Sequence, residues 1–293
     1  MSAAAAAPDD VPAAGRRVAV WRHGTAVPVP PDEPVVTAFD LGLSRGDGVF
    51  ESVLVTGGRT PWLADHLTRL ARSAALLDLT SPGDDAWRAL VAAVTGDWPA
   101  GTEGVCRLFL TRGTGDDGPP TALALLSAVP ADTLVQRTAG ISVVALTYGL
   151  AADVRAHAPW LLGGAKTLSY AVNMAAQRHA HAQGADDVVF TAVGGELLEG
   201  PTSTVVWAAG GVLHTPPVAT GILAGTTQAR LFARAADVGW PTAVSSGTVA
   251  DLHAADAVWL LSGIRGAATV HTLDGVPRGD AGLGRQVREL LAR

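Results

Sequence analysis

Cysteine, lysine and long apolar runs are all scarce in this chain of 293 residues. Cys106 is the only cysteine, so the chain cannot form an internal disulfide, and a cytoplasmic location fits. Hydrophobic residues make up 48% of the chain, yet no apolar run approaches the roughly 20 residues of a membrane span. The formal net charge of −6 argues against nucleic acid as the main partner. We therefore expect a protein that acts on neither membranes nor nucleic acids.

Motifs of metal and dinucleotide sites are also missing. The eight histidines are scattered, and His179 and His181, two residues apart on a predicted helix, point to different faces. The HExxH motif is absent, and no second cysteine could join Cys106 at a metal. The glycines at 42, 46 and 48 do not form a dinucleotide fingerprint. We predict no metal site and no nucleotide-binding fold.

The scarcity of lysine is more informative than the other absences. The chain has 21 basic residues, and Lys166 is the only one of them that is not arginine. A guanidinium stays protonated and does not attack a carbonyl, whereas an ε-amine can form an imine with an aldehyde. The alternative is an arginine-rich codon usage in which one lysine survived by chance.

The residues around Lys166 favour a reactive amine. A Gly163–Gly164 pair precedes the lysine, and its neighbours are small and uncharged. Apolar residues follow at helical spacing up to a stop at Gly184, which predicts a helix with Lys166 at its N-terminal end. Tyr170, four residues on, would then lie on the same helical face.

Apolar periodicity predicts an α+β chain in two lobes, a small N-terminal α/β lobe and a larger C-terminal one. Strands are predicted at 18–21, 49–55, 105–111, 122–127, 141–146, 187–191, 204–208 and 257–261. Helices are predicted at 64–78, 87–94 and 226–238, besides the helix after Lys166. We expect a disordered tail over 1–14, a small domain over 15–130, a linker over 131–139 and a large domain over 140–293.

An imine-forming lysine is most useful when a cofactor supplies the aldehyde. Pyridoxal 5'-phosphate requires an amine, an anion site for its phosphate and a carboxylate beside its pyridine nitrogen. Thr226 and Thr227 open a predicted helix after a glycine, where backbone N–H groups and hydroxyls can bind a phosphate. Arg69 could add a cation, and Glu199, in a turn between apolar strands, could supply the carboxylate. Each feature alone has an ordinary structural explanation. The threonines could form a common helix cap, Arg69 could lie on a solvated helix face, and Glu199 could lie in a surface turn.

The order and wording of several segments resemble the class IV aminotransferases, the fold-type IV pyridoxal-phosphate enzymes. The resemblance runs from about residue 40 to residue 275 and rests on DLGLSRGDGVFES, DHLTRLARSAALL, RLFLTRG, GGAKTLSY, GELLEGPTST, GILAGTTQ and LSGIRG. Within the family, APWLLGGAKTLSYAVNMAA and LEGPTST are most similar to aminodeoxychorismate lyases of high-GC bacteria. The resemblance implies the two-lobed fold of D-amino acid aminotransferases.

The resemblance also implies roles for the cofactor residues. Lys166 matches the Schiff-base lysine and proton shuttle, and Glu199 the carboxylate facing the pyridine nitrogen. Arg69 matches the phosphate-binding arginine, and Thr226 and Thr227 match the phosphate-binding turn. Tyr170, which matches a tyrosine on the cofactor's phenolic oxygen in some members, completes this set.

Substrate positions vary more across the family. Arg107 matches a position where several members bind a substrate carboxylate, and Arg45 and Arg265 are further candidates. The chain departs from the family at Thr204, where many members have Asn. It departs again after Ser262, where Gly263 and Ile264 replace a phosphate-binding Thr or Ser, so that phosphate contacts there would come from Ser262 or backbone N–H groups.

The activity implied is a lyase that converts 4-amino-4-deoxychorismate into p-aminobenzoate and pyruvate. The alternative is a transaminase for D-amino acids or branched-chain L-amino acids with 2-oxoglutarate, since both reactions begin with the same proton removal. A non-catalytic phosphate-binding module of the same fold is a third reading. The resemblance further implies a homodimer, and aminodeoxychorismate synthase is a possible partner that would deliver the unstable substrate.

Overall fold

The computed structural model describes residues 15–115, 118–280 and 282–292, so the tail predicted over 1–14 lies outside the described residues. The chain divides into two compact units. The first contains the described residues up to Thr133 together with Lys166–Leu168, and the second contains Leu134–Ala165 and the residues from Ser169 onward. The mixed α+β class predicted from the sequence is confirmed.

An antiparallel sheet forms the centre of the first unit. Its described strands are β1 (Arg17–Arg22), β2 (Thr25–Val29), β3 (Gly48–Val55), β4 (Gly104–Thr111) and β5 (Thr121–Ala128), in the order β2-β1-β5-β4-β3. The unit also contains the helices α1 (Leu41–Arg45), α2 (Leu63–Leu76) and α3 (Asp84–Thr95). The edge strand β3 therefore has one side that is not paired within the sheet.

Helix α2 packs on one face of β3. Leu63, Leu67, Leu70 and Ala74 recur every three or four residues and are buried, as the spacing predicts. Side chains alternate along β3, so that every second residue, beginning with Val49, is buried while those between are more accessible. This alternation gives the sheet a helix-covered face and a second, partly accessible face.

The lysine segment extends the sheet beyond β3. Phe50 N–H donates to the Lys166 carbonyl at 3.0 Å, Leu168 N–H donates to the Gly48 carbonyl at 2.8 Å, and Thr167 forms a bridge with Val49. The helix predicted from Lys166 instead begins at Ala171, so the prediction that Lys166 opens a helix and shares a helical face with Tyr170 is wrong. The lysine segment pairs with the Phe50 N–H and the Gly48 carbonyl, which β3 would otherwise leave unpaired. This pairing keeps residues 166–168 extended, although the apolar spacing predicts a helix there.

The second unit is built on a larger mixed sheet. Its described strands are β6 (Ile141–Thr147), β7 (Asp187–Thr191), β8 (Thr204–Ala209), β9 (Val212–Thr215), β10 (Thr242–Val244), β11 (Ala257–Ser262), β12 (Gly266–Leu273) and β13 (Val276–Pro277). The order is β10-β9-β8-β11-β12-β6-β7, with β13 on β12. Strand β6 runs parallel to β7 and β12, β10 runs parallel to β9, and the remaining pairs are antiparallel.

Helices complete the second unit and the junction between the units. The unit contains α5 (Val154–His157), α6 (Ala171–Ala182), α7 (Thr226–Asp237), α8 (Val249–Ala254) and α9 (Leu283–Ala292). The segment 131–139, predicted as a linker, forms helix α4 (Ala131–Ala139), and the division between the units falls inside it after Thr133. Among the described residues, none of the helices combines the length and the apolar character that a bilayer crossing requires.

Both faces of the large sheet are buried. Val205, Trp207 and Leu260 belong to one core, while Val206 and Trp259 point to the other. The second core also contains apolar side chains of α7 and α9. Burial on both faces explains why β8 and β11 read as continuous apolar runs rather than as alternating ones.

Candidate active site

Lys166 lies on the partly accessible face of the small sheet. Its Nζ is 4.3 Å from the centre of the Phe50 ring, and its backbone N–H donates to Ser73 Oγ at 3.1 Å. The Phe50 ring stacks on that of Phe109, with centroids 6.0 Å apart. The amine of Lys166 therefore lies over the Phe50 ring, which together with Phe109 forms what we call the aromatic floor. The lysine backbone is held separately, by Ser73 and by β3.

Arg107 belongs to the same face of the same sheet. The strand register pairs Ser52 with Arg107 and Phe50 with Phe109, and residues two apart on a strand share a face. Strand spacing places the Cα atoms of Lys166 and Arg107 about 12 Å apart, within reach of two long side chains on one small substrate. The first unit thus places Lys166, the predicted reactive amine, and Arg107, the residue predicted to bind a substrate carboxylate, on one face of its sheet.

Arg69 forms a buried ion pair that the sequence did not predict. Its Nε donates to Glu51 Oε1 at 2.6 Å and its Nη2 donates to Glu51 Oε2 at 2.8 Å. His66 Nδ1 lies 2.7 Å from the same Oε2, so that this nitrogen carries a proton when Glu51 is ionised. The Glu51 side chain has no exposed surface, and that of Arg69 is 11% exposed. The alternative of a solvated helix face for Arg69 is therefore wrong.

Glu51 remains ionised because of these two partners. Burial raises its pKa, but hydrogen bonds from Arg69 and His66, reinforced by their charge, lower the pKa from 4.5 to about 2. Glu51 could have been found from the sequence, since strand alternation places it on the buried face between Val49 and Val53. A charged residue at such a position requires a partner.

Glu199 is held by the turn that precedes α7. Its Oε2 accepts a hydrogen bond from Leu223 N–H at 3.0 Å, and its carbonyl accepts one from Phe190 N–H at 2.9 Å. The Gly221 carbonyl in the same turn accepts from Gly164 N–H and from Arg155 Nη1, both at 2.9 Å. One turn therefore holds the candidate carboxylate and the chain leading to Lys166.

The start of α7 has the features of an anion site. Gly225 is its N-cap, and Thr226 and Thr227 are its first residues, as predicted. A Cβ at Gly225 would lie 2.2 Å from Thr204 Oγ1, so only glycine fits against this threonine. Arg230, which sequence reasoning missed, donates from Nη2 to Thr227 Oγ1 at 3.4 Å, and its i+3 spacing from Thr227 is the signal that could have revealed it.

The remaining predicted residues have more varied surroundings. Tyr170 directly precedes α6, and Ser262 ends β11 and accepts a hydrogen bond from Arg265 N–H at 3.2 Å, with Gly263 next in the loop. Arg45 ends α1 and is exposed. Their roles stay predictions.

Arg265 is held by an ion pair within the second unit. Its Nη2 lies 2.7 Å from Asp187 Oδ2, and its Nη1 donates to Gln136 Oε1 at 3.3 Å. The Asp187 side chain has no exposed surface. This pairing favours a structural role for Arg265 over the predicted contact with a substrate carboxylate.

Cys106 does not contribute a nucleophile. It is fully buried in β4, as predicted, and burial raises the pKa of its thiol to about 12. A thiol with so high a pKa stays protonated and unreactive at neutral pH.

The donor groups fit a phosphorylated aldehyde cofactor. Lys166 offers an amine, and the α7 start offers N–H groups and hydroxyls beside a glycine that leaves no room for a side chain. Glu199 offers a carboxylate whose orientation is fixed by Leu223. These are the groups that pyridoxal phosphate needs for its aldehyde, its phosphate and its pyridine nitrogen.

Comparison with known proteins identifies the family. Residues 48–273 match the model of the amino-transferase class IV family. The chain is 46% identical, over 84% of its length and 88% of the relative's, to a protein of Mycobacterium tuberculosis (strain H37Rv) named bifunctional aminodeoxychorismate lyase / D-amino acid transaminase.

Solved structures agree with this match. The chain has a TM-score of 0.91 and 42% identity to the pyridoxal-phosphate-bound form of a hypothetical aminotransferase from M. tuberculosis, covering 94% of this chain and 97% of the other. A form of the M. tuberculosis protein with α-ketoglutarate and pyridoxamine phosphate bound gives a TM-score of 0.90 at the same identity and coverage. The chain therefore belongs to the class IV aminotransferases, and it is a pyridoxal-phosphate-dependent enzyme, either a lyase or an aminotransferase, with the fold-type IV architecture.

Proposed function

We propose that this enzyme is an aminodeoxychorismate lyase, which converts 4-amino-4-deoxychorismate into p-aminobenzoate and pyruvate. The observation that carries the proposal is the placement of Lys166 and Arg107 on one face of the small sheet, above the Phe50–Phe109 floor. A small ring bearing an amine and carboxylates suits such a face, because the ring can pack on aromatic side chains and an arginine pairs with a carboxylate. The name of the 46%-identical M. tuberculosis relative supports the same activity.

Eight residues would hold the cofactor. Lys166 would bind its aldehyde carbon, Glu199 its pyridine nitrogen, and Arg69 with Thr227 its phosphate. Thr226, Ser262 and the backbone of Gly263 would add phosphate contacts, and Tyr170 would donate to the phenolic oxygen. Bound pyridoxal phosphate supplies the aldehyde that takes up the substrate amine and the ring that accepts the electrons of the broken C–H bond.

The chain's own residues would then move one proton. Lys166, with its amine free, would remove the proton from the amine-bearing carbon of the substrate ring. The bond from the neighbouring ring carbon to the enolpyruvyl oxygen breaks, and the ring becomes aromatic. The enolpyruvyl group would take up a proton, which Lys166, protonated in the first step, would donate, and would leave as pyruvate. Arg107 holds a carboxylate of the substrate throughout.

A second candidate is amino transfer from D-amino acids to 2-oxoglutarate. Two findings favour it: an M. tuberculosis relative is named as both lyase and D-amino acid transaminase, and a similar M. tuberculosis structure was solved with α-ketoglutarate and pyridoxamine phosphate. Lys166 would remove the same kind of proton from the amino acid and would then act as the acid of the amino transfer. Branched-chain L-amino acids are the weaker option, because the putative branched-chain aminotransferase of Methanocaldococcus jannaschii is only 28% identical.

We also propose a homodimer, with aminodeoxychorismate synthase as a possible supplier of the substrate. Phe39 and Leu43, four residues apart around the start of α1, are 79% and 67% exposed. Large apolar side chains exposed near each other in sequence are candidates for an interaction site. A second copy of the chain is the occupant that the family resemblance predicts.

The test is product formation from enzymatically generated aminodeoxychorismate with no amino-group acceptor present. Many turnovers of p-aminobenzoate and pyruvate in equal amounts would support the lyase, with Lys166→Ala as the blank. If no product forms but D-alanine transfers its amino group to 2-oxoglutarate, the lyase proposal fails and the transaminase replaces it.

A further inference from the structure

We propose that Glu51, together with His66, is a positioning residue that sets the orientation of Arg69 toward the cofactor phosphate. The proposal rests on the phosphate-binding role proposed above for Arg69. Glu51 itself would touch neither cofactor nor substrate, since its carboxylate is fully buried against α2. It would act only through the guanidinium.

The geometry fixes one edge of the Arg69 guanidinium. Both Glu51 oxygens are used, one by Nε and one by Nη2, so the planar group cannot rotate about its stem without breaking two hydrogen bonds. His66 Nδ1 and the Ser52 N–H, at 2.7 and 3.3 Å, hold Oε2 in turn. The edge that contains Nη1 therefore points away from the carboxylate in a defined direction.

Electrostatics argue for orientation rather than attraction. An anion beside Arg69 lowers the net positive charge of the region, which by itself weakens the binding of a phosphate. Well-packed apolar residues can often replace a whole buried ion pair, so the core does not require one at this position, although removing a single partner of an existing pair costs stability. A group that weakens the attraction for phosphate is therefore best explained by the direction that it imposes on its partner.

The same elements hold the lysine. Helix α2 presents Arg69 to Glu51 and, one turn on, Ser73 to the Lys166 N–H. Strand β3 presents Glu51 to Arg69, and the neighbouring Phe50 N–H to the Lys166 carbonyl. Helix α2 and strand β3 thus fix the position of the Arg69 guanidinium relative to the backbone of Lys166 within the first unit.

The experiment compares how the apo-enzyme binds pyridoxal phosphate and pyridoxal, which lacks the phosphate, in the absence of any substrate. Dissociation constants come from the visible absorbance of the bound cofactor. Glu51→Gln is expected to weaken pyridoxal phosphate binding about tenfold or more while pyridoxal binding changes less than about twofold. Combined with Arg69→Met, the Glu51→Gln change should cause no further loss.

Asp40→Asn is the matched control. It makes the same kind of change in another buried carboxylate of the first unit, which accepts hydrogen bonds from the Thr111 and Thr121 hydroxyls at 2.9 Å and has no proposed contact with the cofactor. It should leave the ratio of the two affinities unchanged. If Glu51→Gln does not fold, Glu51→Asp keeps the charge but shortens the stem, and it should still weaken pyridoxal phosphate binding selectively.

Three results would overturn the proposal. Glu51→Gln could leave both affinities unchanged, or lower both equally, which is the behaviour of a residue that only stabilises the fold. The loss could also persist undiminished in the Arg69→Met background. Because no substrate is present, failure of the lyase proposal would not affect any of these measurements.

Discussion

A few residues of the first unit determine the position and the surroundings of Lys166, and each has a separate role. Phe50 offers its aromatic face to the amine, an environment that stabilises a cation without exchanging protons with it. Ser73 and the Phe50 N–H fix the lysine backbone. An amine held in this way can change its bonding partner while its backbone stays in place, as imine exchange requires.

The role of Arg107 can be tested at this scale. Arg107→Met should lower kcat/KM for aminodeoxychorismate about 10- to 100-fold, because one charge-assisted contact to a carboxylate is lost. Cofactor affinity should not change, since Arg107 is assigned to the substrate. Steady-state kinetics and a cofactor titration measure the two effects. Arg88→Met, on the exposed side of α3, is the matched control and should change neither.

At the scale of elements, the sequence predicted regular segments well and irregular ones poorly. Helix α7 and strand β7 were predicted within one residue of their ends because their apolar patterns are long or end at clear stops. The elements that were not predicted are the strands β2, β9, β10, β12 and β13 and the helices α1, α4, α5, α8 and α9. Most of them are too short to carry a clear periodicity, but β12 and α9, with 8 and 10 residues, were missed as well.

The site shows the same contrast. Lys166, Glu199 and the threonines of α7 could be selected as candidate cofactor ligands from residue type and short sequence motifs alone. The pairing of Lys166–Leu168 with β3 could not, because the backbone groups that it satisfies are more than a hundred residues away in sequence. The Glu51–Arg69 pair was missed because each residue was read within its own element.

The edge pairing of β3 gives a prediction on Gly48. A Cβ there would lie 2.6 Å from the Leu110 carbonyl and 2.7 Å from Leu168 Cδ1. Gly48→Ala should therefore destabilise the protein by about 1–3 kcal/mol and also weaken cofactor binding, since it displaces the lysine segment. Thermal unfolding and cofactor titration test this. Gly101→Ala, where a Cβ would meet nothing within 4 Å, should be neutral, and equal effects of the two changes would contradict the account.

The Glu51 ion pair predicts a dependence of stability on pH. Because its pKa is about 2 when folded and about 4.5 when unfolded, Glu51 stabilises the protein above pH 4.5, and this contribution disappears as the pH falls toward 2. The contribution at neutral pH is on the order of 3 kcal/mol. Urea unfolding at pH 7 and pH 3 should show the stability gap between the wild type and Glu51→Gln narrowing in acid. A gap that stays constant or widens would contradict the assigned pKa.

At the scale of the whole molecule, one family match spans residues 48–273 and so includes parts of both compact units. Lys166 and Arg69 belong to the first unit, and Glu199 and the α7 threonines belong to the second.

The proposed homodimer is a prediction at this scale. Sedimentation of the wild type should give twice the 29.8 kDa chain mass. Replacing Phe39 and Leu43 together by Ser should shift the protein toward the monomer, because two large exposed apolar side chains are removed. The matched control is Leu134→Ser, which changes an exposed leucine of helix α4. An unchanged dimer in the Phe39/Leu43 variant would place the interface elsewhere.

The most direct test of the central claim is the replacement Lys166→Arg, which keeps the positive charge and removes the only side-chain amine. Formation of p-aminobenzoate from aminodeoxychorismate and amino transfer from D-alanine to 2-oxoglutarate would be measured on the same preparations, loaded with cofactor. We expect the wild type to form p-aminobenzoate and the variant to lose every activity of the wild type by at least about a thousandfold. Turnover by Lys166→Arg close to the wild-type rate would contradict the assignment of Lys166, and a wild type inactive toward aminodeoxychorismate would contradict the lyase.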